Sequence, residues 1–173
     1  MTNPDSRFPL IGQEALKTVF RMHASGVAII TALTKTSEPI GFTATSVTSL
    51  GSNPPLVSFN IARGSSSYEH LVEGTAVAIH TLCAKNLDLA QQMAGPKENR
   101  FQNVDFEVID SVPVFSQASS VLLGTVRQRI EVEANAVVIV DVLRSTEAYD
   151  DARPLLYYRR GYLTATERLA ENN

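Results

Sequence analysis

Cysteine, histidine and net charge are all scarce in this chain, and each scarcity removes a class of function. A single cysteine, Cys83, excludes an internal disulfide and a Cys-rich metal site. The three histidines, His23, His70 and His80, are scattered and show no metal-ligand spacing. There is no HExxH element and no Ser-His-Asp arrangement. The formal net charge is only -3, which argues against nucleic acid as the main partner. No apolar run approaches the length of a membrane span; Val27 to Leu33 is short and interrupted by Thr31. The opening MTNPDSRFPLIG lacks a basic head followed by an apolar segment, so no secretory signal is expected and the cytoplasm is the expected location. No internal repeat or low-complexity tract stands out.

What is present fits one soluble globular domain: 173 residues, 44% apolar and 19% charged. Residues 1–11 read as a loose lead-in with Pro4 and Pro9, residues 12–163 as the domain, and residues 164–173 as a polar tail. From Gly12 to Ala24 the spacing of Ala15, Leu16, Val19, Phe20 and His23 predicts a helix. Strands are expected over 26–34, 40–48 and 56–61, with a turn at 37–39 and a break at Gly51-Ser52-Asn53-Pro54-Pro55, because proline lacks the ladder donor. A short helix is expected at 66–72, a strand at 75–82 and a helix at 87–94, followed by an irregular polar stretch from Gly95 to Pro113. Leu122 to Glu133 alternates clearly. Leu122, Gly124, Val126, Ile130 and Val132 share one face; Arg127, Arg129, Glu131 and Glu133 share the other and read as solvated cross-strand pairs. Ala136 to Leu143 reads as a strand buried on both faces or at an interface, Asp150-Asp151 as a turn, and Pro154 to Tyr158 as the last strand. Many strands and few short helices, without a strand-helix rhythm, predict a mostly β antiparallel barrel with peripheral α-helices.

The segment Gly41 to Ser67, GFTATSVTSLGSNPPLVSFNIARGSSS, is the most informative. Small residues let backbone approach a flat ring, and Thr and Ser hydroxyls can bond its polar edge. Arg63 with Ser65, Ser66 and Ser67 can hold a phosphate by charge and several donors. Each part alone has a plain reading, a Thr-rich strand and a solvated Ser loop. In order, they suit a planar cofactor that carries a phosphate.

That order resembles the flavin reductase family, and most closely the FMN reductases that feed desulfurising monooxygenases. The family's motif appears as Gly41-Phe42-Thr43-Ala44-Thr45-Ser46-Val47-Thr48-Ser49-Leu50 followed by Pro54-Pro55-Leu56-Val57. The likeness spans roughly Leu16 to Tyr162 and includes GVAIITA, the PLLYY strand and Gly161-Tyr162. It implies an FMN-binding split barrel, usually a homodimer with flavin near the subunit interface. It implies an NAD(P)H:FMN oxidoreductase that supplies reduced flavin to a separate monooxygenase, with FMN (FAD being the other candidate) as cofactor and NADH or NADPH as reductant. By motif position, Thr45, Ser46, Val47 and Thr48 would line the ring; Thr43 and Ala44, also cofactor-binding candidates, sit just before them, with one of the two expected to point into the barrel. Ala62, Arg63, Gly64, Ser65, Ser66 and Ser67 would take the phosphate, with Tyr68 beside them. Asn99-Arg100-Phe101 matches the family's [DN]-[RK]-F element, where Phe101 is either near the flavin or ordinary core. Flavin carries the reactive atoms, so no catalytic side chain is expected.

One departure matters. Many family members carry Gly-Asp-His before the penultimate long strand, with the His at the nicotinamide; here Glu133-Ala134-Asn135 stands there. Asn135 can donate to a carboxamide but cannot carry charge, and it also reads as a plain turn residue. This leaves open a flavin-binding module without reductase activity, acting as a carrier, sensor or interaction partner. A barrel of the pyridoxamine-phosphate oxidase type shares the architecture, but its Arg/Lys-rich phosphate pattern is missing. His23 is expected to cap a helix end, His70 to be exposed, and His80 to be a hydrogen-bonded packing residue.

Overall fold

The computed structural model describes residues 7–147 and 153–166. In chain order the elements are α1 (Gly12–Arg21), β1 (Ser25–Gly26), β2 (Ala28–Leu33), β3 (Pro39–Ala44), β4 (Thr48–Ser52), β5 (Pro55–Ala62) and β6 (Ala76–Thr81). Then follow α2 (Leu87–Ala94), β7 (Glu107–Ile109), β8 (Val112–Val114), β9 (Ser120–Val132), β10 (Asn135–Ser145), β11 (Leu155–Tyr158) and β12 (Gly161–Thr164). Single 3-10 turns lie at Tyr68–His70, Ala84–Asn86 and Lys97–Asn99.

One seven-stranded antiparallel sheet in the order β3-β2-β6-β9-β10-β5-β4 dominates. Its two edge strands, β3 and β4, are separated in the chain by only Thr45, Ser46 and Val47. Four Cα steps reach at most about 14 Å, so the sheet must curl until its edges nearly meet. The result is a barrel with a seam, and the residues at the seam belong to no ladder. The mostly β antiparallel expectation holds.

Two apolar clusters pack on either side of the sheet. Ile30, Phe59, Val77, Val126 and Val138 fill the barrel. Ile29, Ala90, Met93, Val112 and Phe115 fill the space beneath α2 and the β7–β8 hairpin. The alternate residues of β2 thus serve both cores, which is why the strand reads as a continuous apolar run.

The structure corrects several expectations. The first helix stops at Arg21, so His23 lies beyond it and is exposed. The expected strand over 40–48 is broken at the seam, and Gly51 and Ser52 lie inside β4 rather than in the break; the turn is Asn53-Pro54, with a cis peptide. The stretch Gly95 to Pro113 contains a hairpin, and a strand follows Tyr158. The even face of β9 is buried at Gly124 and Val126 but exposed at Ile130 and Val132. The cause is topological: β6 pairs with β9 only as far as Thr125, and Arg127 forms a bulge against β10. Beyond that point β9 and β10 project together. In β10, Ala136, Val138 and Val140 are buried, while Val137 and Ile139 are half-covered. His70 is half-buried beside Glu69 rather than exposed. His80 is as expected: 0% exposed, with Nδ1 donating to the Ile29 carbonyl (3.1 Å) and Nε2 accepting the Phe115 amide (3.1 Å). Asp150-Asp151 falls outside the described residues. Among the described residues no helix is long and apolar enough to cross a membrane.

Candidate functional site

A cleft of about 320 Å³ opens between the start of β3, the Ser loop and the segment after α2. Pro39, Ile40 and Gly41 form one wall, Ser66 and Ser67 a second, and Lys97, Glu98, Arg100, Phe101 and Gln102 a third. Gly41 is there for a steric reason. A Cβ at this position would lie 2.8 Å from the Ile30 carbonyl and 2.6 Å from Met93 Cε. Only glycine lets this wall lie so close to β2 and α2.

Ser67 is 2% exposed and lines the cleft, and among the described residues no protein group bonds its hydroxyl, which is left to the cleft. The loop imposes its position. Tyr68 N–H donates to the Ser65 carbonyl (3.0 Å), and the Ser67 amide donates to Ser65 Oγ (3.3 Å). Those bonds consume Ser65 and leave Ser66 and Ser67 to face the cleft.

Arg100 supplies charge on the opposite wall. Its Nε donates to the Gly95 carbonyl (2.9 Å) and Nη1 to the Gly41 carbonyl (2.8 Å). Partial burial lowers its affinity for its proton, opposed by Glu98. A guanidinium held by two carbonyls, with Glu98 the acidic neighbour on the same wall, can still offer its remaining N–H groups to an anion. Phe101 lies between cleft and core; its ring is stacked 5.9 Å from Phe115 and edge-on to Phe106 at 5.4 Å. The core reading of Phe101 holds, and the residue also lines the cleft.

The cleft thus gathers Ser66, Ser67, Arg100 and Phe101 from the expected set. The rest lie elsewhere. Thr43 Oγ1 donates to the Ala90 carbonyl (2.6 Å), tying β3 to α2, and Ala44 is buried in the barrel core. Thr45 is exposed at the seam, Ser46 Oγ accepts the Asn60 amide (2.9 Å), Val47 packs on the barrel core and Thr48 pairs with Ser58. Ala62 is exposed opposite Asn135, so the two ends expected near flavin and nicotinamide are neighbours. Arg63 does not point into the cleft. Its amide donates to Ala134, Nη1 donates to the Glu133 carbonyl (3.3 Å), and Glu131 is 3.7 Å away. Gly64 is open to solvent.

Tyr68 packs against the barrel, and its hydroxyl donates to Glu131 (2.6 Å); this bond raises the tyrosine pKa and lowers that of Glu131. Glu133 takes a φ of 49°, the left-handed region open to the glycine of the family motif. Lys97 and Gln102 were not anticipated; an isolated surface lysine carries no sequence signal.

The chain is thus a seamed antiparallel barrel with a cleft lined by serine hydroxyls, the Arg100 guanidinium, Lys97 and Glu98. The comparisons make the class specific. The family model "Flavin reductase like domain" matches residues 20–166, and the chain belongs to that family. It is 37% identical over 155 residues to an NADH:FMN oxidoreductase of Rhodococcus erythropolis, covering 87% of this chain and 80% of that protein. It is 28% identical over 150 residues to the reductase component of a flavin-dependent trigonelline monooxygenase of Acinetobacter baylyi, covering 86% of this chain. The chain spans about half the length of that protein, 48%, and the same share of a probable flavin reductase of Rhizobium meliloti. A crystal structure of a flavin reductase domain protein from Arthrobacter sp. FB24 superposes with a TM-score of 0.84 at 38% identity, over 93% of this chain and 100% of that one.

Proposed function

We propose that this chain is an NAD(P)H-dependent FMN reductase that supplies reduced flavin to a separate monooxygenase. The observation that carries the reading is the Ser67 hydroxyl, given no partner among the described residues, on the same cleft as the Arg100 guanidinium. Ser66, Ser67, Arg100 and Lys97 form a donor set suited to a phosphate dianion. The cleft, about 320 Å³ and open to solvent, is of the size of small-ligand sites, roughly 300–1,000 Å³. Thr45, Ser46 and Val47, outside any ladder at the seam, offer main-chain and hydroxyl groups to the polar edge of a ring.

When bound, flavin accepts a hydride from the nicotinamide as NAD(P)H becomes NAD(P)+. The protein's part is to grip the anionic tail, orient the ring and leave one face open. Asn135, exposed beside Ala62, is the residue that would meet the carboxamide of NADH or NADPH in this reading.

We also infer a cytoplasmic homodimer. None of the ten residues of α1 is buried against its own chain, and Leu16, Val19 and Phe20 lie exposed on one face of it. A second copy covering that stripe is the simplest partner, in keeping with the family. Purified protein mixed with FMN should oxidise NADH or NADPH at a rate that saturates with FMN. Bound flavin with no oxidation of either nucleotide would reject the reductase. That outcome would instead favour a flavin carrier or sensor, the reading supported by Asn135 in place of the family's histidine.

A further inference from the structure

We infer that Arg129 is a positioning residue for the phosphate end of the cleft, an inference that rests on the reading of that cleft given above. Arg129 does not line the cleft. It projects from the charged face of β9, yet its side chain is only 19% exposed. Its neighbour Arg127 pairs across the strands with Asp141 through two guanidinium nitrogens, at 2.9 and 2.6 Å. Arg129 instead turns onto the Ser loop. Nη1 donates to the carbonyls of Tyr68 (2.8 Å) and Leu71 (3.2 Å), which bracket the 3-10 turn immediately after Ser67. Its guanidinium carbon sits 4.1 Å from the centroid of the Tyr68 ring.

Glu131, two residues along the same strand face, completes the clamp. It accepts the Tyr68 hydroxyl and lies 3.7 Å from both Arg129 and Arg63. Tyr68 is therefore held at its carbonyl, its ring and its hydroxyl by one side of β9. Ser67 precedes Tyr68, and the Tyr68 amide is already bonded to Ser65. Fixing Tyr68 fixes where the Ser66 and Ser67 hydroxyls stand before any ligand arrives, and preorganised donors bind anions more tightly. Arginine suits the task because its planar fork donates to carbonyls while stacking on a ring. Lysine keeps the charge but cannot do both.

The test is calorimetric titration of folded variants with FMN and with riboflavin, which lacks the phosphate. Wild-type protein should prefer FMN. Arg129→Lys should weaken FMN roughly tenfold, the scale of one charged hydrogen bond, while riboflavin affinity stays as in wild type. Arg129→Gln, scored in the same way, covers the case in which the lysine variant does not fold. A wild type that binds both flavins equally would refute the phosphate reading of the cleft itself. A wild type that discriminates, with variants that keep its FMN-to-riboflavin ratio or lose both ligands alike, would refute the role of Arg129 and leave the cleft reading standing.

Discussion

His80 and Ser67 are both polar residues in buried positions, but only His80 has its side-chain polar atoms bonded within the fold, while the Ser67 hydroxyl is left to the cleft. His80 sits between the two sheet faces of the second core, and the fold supplies a carbonyl to one ring nitrogen and an amide to the other. Ser67 sits on a cleft wall, and the fold supplies nothing to its hydroxyl. A polar group kept for structure brings its partners with it; a polar group kept for binding waits for them. The contrast predicts opposite responses to mutation, and it can be broken at either end.

The largest effect belongs to His80. His80→Ala opens a cavity and strands the Phe115 amide, so denaturant melts should show a loss of about 3–5 kcal/mol, with FMN affinity of the folded fraction unchanged. A loss below the range of surface substitutions would undo the structural reading. The same residue gives a pH signature. Burial lowers its pKa from 6.5 to about 4, opposed by its bond to Ile29. The folded state therefore holds it neutral while the unfolded chain takes up a proton near pH 6.5. Its stabilising share is complete above that pH and drains away as the pH falls to about 4, a change on the order of 3 kcal/mol. Comparing wild type with His80→Gln between pH 7 and pH 4 isolates this part of the slope; parallel curves would contradict it.

Ser67→Ala should behave in the reverse manner. Stability should move by no more than about 0.5 kcal/mol, while FMN affinity should drop roughly tenfold and riboflavin affinity should not. A destabilised Ser67→Ala with unaltered FMN binding would make Ser67 another His80. The smallest effect is expected at Arg127→Gln. This removes a surface pair with Asp141 that contributes little to stability, and flavin binding should be untouched; a marked fall in FMN affinity would extend the loop clamp beyond Arg129.

Much of the barrel was legible because β2, β5, β6, β9 and β10 carry apolar or alternating patterns long enough to identify, and α2 emerged at Leu87–Ala94 as expected. The two missed hairpins share one cause. Both turn through two residues of positive φ, Asp110-Ser111 and Arg159-Arg160, where Asn-Gly is the usual signal. Neither pair announces a turn, and β7 and β8 are only three residues each.

In the site, the motif led to Ser66, Ser67, Arg100 and Phe101, which the fold brings together. It assigned Arg63 by its place in the phosphate loop and by its charge, and the structure turns that side chain toward Glu131 and the Glu133 carbonyl. It read Arg129 as solvated, because alternation reports which way a side chain leaves the sheet and not which loop folds back over it. Long-range packing of the loop onto β9 spans about sixty residues of sequence, 61 between Tyr68 and Arg129, and no local pattern encodes it.

A crystal structure of the protein with FMN is the most direct examination of the contrast. A phosphate oxygen about 2.7 Å from Ser67 Oγ, with Arg100 on its far side, is the predicted arrangement. FMN seated away from the Ser66-Ser67 wall, with the Ser67 hydroxyl still unpaired, would contradict it.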